Sequence, residues 1–344
     1  MSTCRLCETR EANKKGSHIV SHFLLKRIEN VDGKPGRDYE LGFAIGEFDT
    51  ESYFGRAVSP EKLEETFGEL TEDEIAGNKH PLIVDHYFCS VCEERLSKIE
   101  GEYSKMLVTF DKEKEYASGA SSSIGLLFWM SVFWRMSIHQ HSGTYLSDEE
   151  NELMRSFLDR FLSIDISKID QVIKVAGREA GKMSYRLIRC PDYSNGNVTH
   201  MSWHPDFRKA YSMIIDEFAV ILSMNDDYTE FTSSDFFGLN DEIVSSPKNL
   251  IPSPERIRPI TTAKIEQAFA ILLKQVASQR NKRMNELWDE LHVALGGEGS
   301  SMPTEIKNEI MSELNSEEKK MGRKHTRKEI ENCTIRVLMK YGPS

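Results

Sequence analysis

Cys4-Arg5-Leu6-Cys7 and Cys89-Ser90-Val91-Cys92 are two C-x2-C pairs, and between them lies Ser17-His18-Ile19-Val20-Ser21-His22. Each pair can form one knuckle, and four thiolates together close a tetrahedral site around zinc. In a reducing compartment, cysteines at this spacing are metal ligands more readily than disulfides. Cys4, Cys7, Cys89 and Cys92 are therefore the expected ligands of a structural zinc, while Cys190 and Cys333 stand alone. A four-thiolate site is coordinatively saturated, so chemistry must come from side chains that the scaffold presents. His18 and His22 are the nearest candidates.

Composition bounds what such a scaffold can do. The chain has 344 residues, 39% of them hydrophobic and 29% charged, the profile of a folded protein long enough for two or three domains. Its formal net charge of -11 argues against holding a polyanion by bulk charge, so contact with nucleic acid must be local or assisted by a protein partner. The N-terminus lacks an apolar leader, and the most apolar stretch, residues 124–132, is far short of the ~20 residues that span a bilayer. The expectation is a cytoplasmic protein with no membrane contact. There is no internal repeat and no phosphate-binding G-x4-G-K-[ST] string, so a nucleotide-driven step would belong to a partner.

Working outward, three blocks are expected: residues 1–110, 111–295 and 296–344. The first holds both knuckles and an insertion over about residues 29–80. Its first 28 residues carry six bases against two acids, whereas Glu47 to Glu74 carries ten acids against two bases. That acidic run reads as a solvated insertion, with a nucleic-acid mimic or inhibitory flap as the alternative. Residues 41–48 predict a strand, and Ser59-Pro60 opens a helix with a serine cap and proline at its first position. Leu96, Ile99, Tyr103 and Leu107 place a helix after the second knuckle.

The second block reads as mostly helical. Residues 124–138 are apolar almost all round, as in a central buried helix. Ser147-Asp148-Glu149-Glu150 caps a helix carrying Leu153, Phe157, Leu158, Phe161 and Leu162. Residues 186–190 and 213–222 admit a strand reading, and the prolines at 247, 252, 254 and 259 predict a connecting loop over residues 245–260. A long helix is expected from Thr262 to Ala294, ending at Gly296-Gly297, followed by a charged helical tail with Lys319, Lys320, Arg323, Lys324, Arg327 and Lys328.

Cys4-Arg-Leu-Cys7, Ser17-His18-Ile19-Val20-Ser21-His22-Phe23-Leu24 and Phe88-Cys89-Ser-Val-Cys92-Glu93-Glu94 together resemble the zinc-knuckle branch of the HNH, or His-Me finger, nucleases, and within it a group of bacterial HNH-like proteins. The likeness covers about residues 1–145, with Phe133-Trp134-Arg135 at its weak end. It implies an α+β fold: an N-terminal zinc-stabilised ββα-metal module followed by a mostly α-helical domain. It further implies that His18 is the general base, with a catalytic magnesium or manganese ion bound near Glu93, and with Glu94 or His22 as companion ligands. Ser17 stands where the family usually has a metal-binding acid, and Glu93 where it usually has asparagine. The orienting position falls near Asp85 or His86, so His86 joins the candidate site.

The function implied is hydrolysis of phosphodiester bonds in DNA, less readily RNA, in an antiviral defence assembly where a partner senses the target. The alternative is a catalytically inactive zinc-stabilised module that recruits a protein or nucleic acid. Other histidines carry plainer readings. His18 and His22, four apart, suit polar surface or a separate zinc pair, and His86 suits a backbone partner. His139 and His141 close a helix, where the dipole favours them. His200 and His204 flank Trp203, a residue type more often found in a core than stacked on a base.

Overall fold

The computed structural model describes residues 2–24, 39, 41–45, 50–68, 70–107, 110–139, 146–176, 182–193, 201–203, 210–224, 236–321, 325 and 327–341. The chain begins with β1 (Ser17–His18), the hairpin strands β2 (Leu41–Ile45) and β3 (Thr50–Phe54), α1 (Pro60–Phe67), α2 (Glu72–Gly77), β4 (Ile83–Val84) and α3 (Ser90–Met106). Next come β5 (Tyr116–Ser121), α4 (Ser122–Ser137), α5 (Asp148–Leu162) and α6 (Ile169–Ala176). The strands β6 (Ser184–Arg189), β7 (Met201–Trp203), β8 (Ala210–Ile215) and β9 (Phe218–Ser223) follow, then α7 (Asn240–Ser245), β10 (Asn249–Leu250) and β11 (Pro254–Pro259). The chain closes on α8 (Thr262–Ala294), α9 (Thr304–Met321) and α10 (Arg327–Leu338). The fold class is mixed α+β.

Every residue of α4 is buried, as its all-round apolarity predicts. Its N-cap is Ser121, whose hydroxyl accepts from the Ile124 amide. It packs on α3, α5 and α6 and on strands β5, β9 and β11. The aromatic centre is formed by Tyr103 stacked on Phe128 at 4.5 Å and Trp129 edge-on to Phe218 at 5.5 Å. α5 opens with the expected capping box between Ser147 and Glu150. Its inner face starts at Met154, however, and Leu153 is exposed.

The block expected to be mostly helical instead contains a seven-stranded sheet of order β5-β11-β6-β9-β8-β7, with β10 also on β6. β11 runs parallel to β6, and the other neighbours are antiparallel. The proline-rich run read as a loop thus holds two strands. Pro254 and Pro259 sit at the first and last positions of β11, where a missing N–H is tolerated. The stretch 213–222 is two strands joined at Asp216-Glu217, with Asp216 in the left-handed region at φ 48.

Contacts group residues 1–28 and 82–272 in one unit and residues 29–81 and 273–344 in another, which differs from the three sequence blocks. In the second unit β2 and β3 pair from Leu41↔Phe54 to Ile45↔Thr50, and the Asn78 amide clips Phe54 on both its N–H and its carbonyl. Ser59 caps α1 as expected. The C-terminal segment builds its own core from Trp288, Ile306, Ile310, Leu314, Ile330, Cys333 and Val337. Of the basic run, Arg323 and Lys324 and the side chain of Arg327 lie outside the described residues. Among the described residues no helix is long and apolar enough to cross a membrane.

Candidate metal centre

The four knuckle sulfurs lie within 4.8 Å of one another, and all four cysteines are buried. Two local turns bring them there. In the first, the Glu8 N–H donates to the Cys4 carbonyl at 2.9 Å and the Cys4 N–H to Arg10 at 2.8 Å, with Glu8 at φ 53. In the second, Cys89 is the N-cap of α3 and its sulfur accepts from the Cys92 N–H at 3.4 Å. The turns are laced together by the Arg5 N–H on the Tyr87 carbonyl, the Lys14 N–H on the Phe88 carbonyl, and the Ser90 N–H on Asn13 Oδ1.

Four sulfurs this close and this dry cannot all ionise without a cation between them. A hydrogen bond from Cys92 pulls the Cys4 thiol down to about 4, and the same contact with Cys4 pushes Cys92 up. Such a donor set fits a metal ion such as zinc.

The centre clamps a short sheet. β1 and β4 pair antiparallel, Ser17 with Val84 and His18 with Ile83. The Gly16 N–H donates to Asp85 Oδ1 at 2.8 Å, and the Ile19 N–H to the Leu82 carbonyl at 2.9 Å. Side chains alternate along a strand, so Ser17 and His18 face opposite sides. Ser17 is fully buried and His18 half-buried.

Glu93 lies in the first turn of α3. Burial raises its carboxyl above the usual range, opposed by the charge of Arg135. The buried Ser17 hydroxyl has no hydrogen-bond partner among the described residues. Glu94 is exposed on the next position of the helix. His86 is exposed at φ 60, and its Nδ1 lies 3.0 Å from the Ala12 carbonyl, the backbone role considered above. The side chain of His22, and residues 141, 200 and 204, lie outside the described residues.

Arg135, named in the sequence only at the weak end of the family likeness and with no role, is 2% exposed beside these groups. Its Nη1 donates to the His18 carbonyl at 2.8 Å, and its Nη2 meets Glu100 Oε1 at 2.6 Å. The available signal was a cation inside an otherwise apolar helix, because a buried charge must be paired. A second gathering of donor atoms, Glu313, Glu317 and Cys333, has both carboxylates bridged by Arg336. Comparison of the chain with protein-family models, curated proteins and solved structures finds no match.

Proposed function

We propose that the chain is an HNH-type metal-dependent endonuclease hydrolysing phosphodiester bonds, with DNA favoured over RNA. In this reading zinc fills the four-thiolate centre, and the ββα-metal module consists of β1, β4 and α3. The observation that supports it is the pairing of the His18 strand with the strand leading into the second knuckle, where the four sulfurs converge beside the start of α3.

His18 takes a proton from the attacking water, a task for an imidazole that titrates near neutral pH. The new P–O bond forms as the bond to the leaving oxygen breaks. Glu93 is the oxygen donor for a magnesium or manganese ion, which when bound supplies stabilisation of negative charge on the phosphate. A protein partner, as in a bacterial defence assembly, supplies target sensing that a chain of net charge -11 lacks.

A second reading is a zinc-stabilised binding module without turnover. It is favoured by Arg135, a buried guanidinium whose charge already acts on Glu93 where a metal ion would otherwise do so.

The test is nicking of supercoiled plasmid in magnesium or manganese by the wild type and by His18→Ala. A general base is typically worth about 10²–10⁴-fold, so His18→Ala should lose at least about 100-fold while zinc content and melting stay unchanged. Wild type with full zinc and no turnover in either ion would leave the binding module as the reading.

A further inference from the structure

Arg135 directs every nitrogen of its guanidinium at the protein itself. Nε donates to the Ser131 carbonyl at 3.1 Å, Nη1 to the His18 carbonyl at 2.8 Å, and Nη2 reaches Glu100 Oε1 at 2.6 Å and Ser131 Oγ at 3.4 Å. At 2% exposure, with each nitrogen engaged, the guanidinium has no face left for a phosphate. It is a three-way tie between α4, which carries it, α3 through Glu100, and β1 through His18.

That tie matters because β1 is weakly held by its own ladder. It is two residues long, and its paired partner β4 is equally short. A strand of this length fixes few backbone bonds, so its orientation depends on what else grips it. Besides the Gly16 and Ile19 amides, a third grip falls on the main-chain carbonyl of His18 itself. Glu100 lies two turns along α3 from Glu93, so the same guanidinium relates His18 to the helix that starts at the second knuckle. A planar fork with fixed donor directions can hold two acceptors on different elements at once, which a lysine ammonium on a flexible stem does not reproduce.

We propose that Arg135 is a positioning residue for His18: by bridging the His18 carbonyl to Glu100 it sets where the imidazole stands relative to the start of α3. The inference rests on the nuclease reading for its catalytic consequence and on the bridge alone for its structural one.

The experiment compares wild type, Arg135→Lys, Glu100→Gln and His18→Ala as full-length zinc-loaded protein. Three quantities are measured: kcat and KM for manganese-dependent plasmid nicking, zinc content, and histidine ring resonances in ¹³C-histidine-labelled protein, with His18 assigned by its loss in His18→Ala. A displacement of about 1 Å can cost about 100-fold, so Arg135→Lys should lower kcat by about that factor with KM within about twofold. It should retain zinc and shift the His18 resonances selectively. Glu100→Gln keeps an acceptor for the guanidinium and should lie between the two.

Arg135→Lys with wild-type kcat and an unmoved His18 signal would overturn the proposal. If Arg135→Lys does not fold, Glu100→Gln decides, and an unmoved His18 signal there would overturn it equally. If the wild type shows no turnover, the nuclease reading fails, and the bridge is then judged on the His18 resonances alone.

Discussion

Replacing Gly125 by alanine should destabilise the protein even though alanine is the better helix former. Gly125 lies in the first half of α4, and a Cβ built there would stand 2.0 Å from Tyr185 Oη and 2.3 Å from Glu255 Oε1. Those two atoms are bonded to each other at 2.5 Å, and Glu255 Oε1 also accepts from Tyr103 at 2.8 Å. The Tyr103 oxygen in turn accepts from Trp129 Nε1 at 2.9 Å. Neither the phenol nor the carboxyl can retreat, because Tyr185 and Glu255 are both buried on adjacent strands of the sheet.

Three effects set the magnitude. Helix propensity favours alanine by up to about 1 kcal/mol, overpacking costs about 1–3 kcal/mol, and leaving a buried partner of the Glu255 carboxyl unsatisfied costs about 1–3 kcal/mol. The net is a loss of about 3 kcal/mol, equivalent to a fall in Tm of about 6–12 °C for a unit of this size. The assay is urea and thermal unfolding followed by circular dichroism, with Tyr185→Phe as a second background. Removing the phenol oxygen takes away the nearest clashing atom, so Gly125→Ala should cost at least about 1 kcal/mol less in that background. A Gly125→Ala variant as stable as wild type, or more stable, would refute the reasoning.

The same cluster gives a pH prediction. Burial raises the Glu255 carboxyl, outweighing the bonds from Ser118, Tyr185 and Tyr103, so the folded state prefers the neutral acid. Stability from this preference is complete below the unfolded pKa of about 4.3 and is lost as pH rises through the raised folded value. Glu255→Gln should therefore gain on wild type in thermal melts as pH rises from the unfolded value through the raised folded one; a gap that does not change with pH contradicts the assignment. For the metal centre, Cys89→Ser should lower zinc measured by elemental analysis and melt earlier, and chelator should lower the wild-type Tm. Cys190→Ser and Cys333→Ser should leave zinc content unchanged, and equal loss in all three variants would remove the four-sulfur assignment.

The parts of the fold legible from sequence were those with local chemical punctuation. The C-x2-C spacing pointed to sulfurs that do converge, Ser59-Pro60 and the Ser147 capping box marked two helix starts, and Thr262 to Ala294 is one helix. The sheet was harder because its signals are non-local. β5 is Tyr-Ala-Ser-Gly-Ala-Ser, with almost no branched side chains, and becomes a strand because β11 pairs with it. β11 itself is bracketed by prolines that read as loop until their end positions are known. At the site, the histidine and glutamate positions could be named from the knuckles alone. Arg135 and Glu100 could not, because their roles depend on which turn of α4 meets which turn of α3, a packing fact with no local signature.

The two halves of the sulfur clasp are separated by about eighty residues of chain, most of which group with the C-terminal unit. At a synthesis rate of about 5–20 residues per second, Cys4 and Cys7 precede Cys89 out of the ribosome by roughly 4–16 seconds. During that interval the nascent chain exposes a thiol pair able to bind metal only partially, with its partner strand and covering helix still unmade. The N-terminal pair therefore waits, unlatched, until Cys92 is translated. Exposure to oxidation or to competing soft metals is greatest in that window, before the finished protein exists.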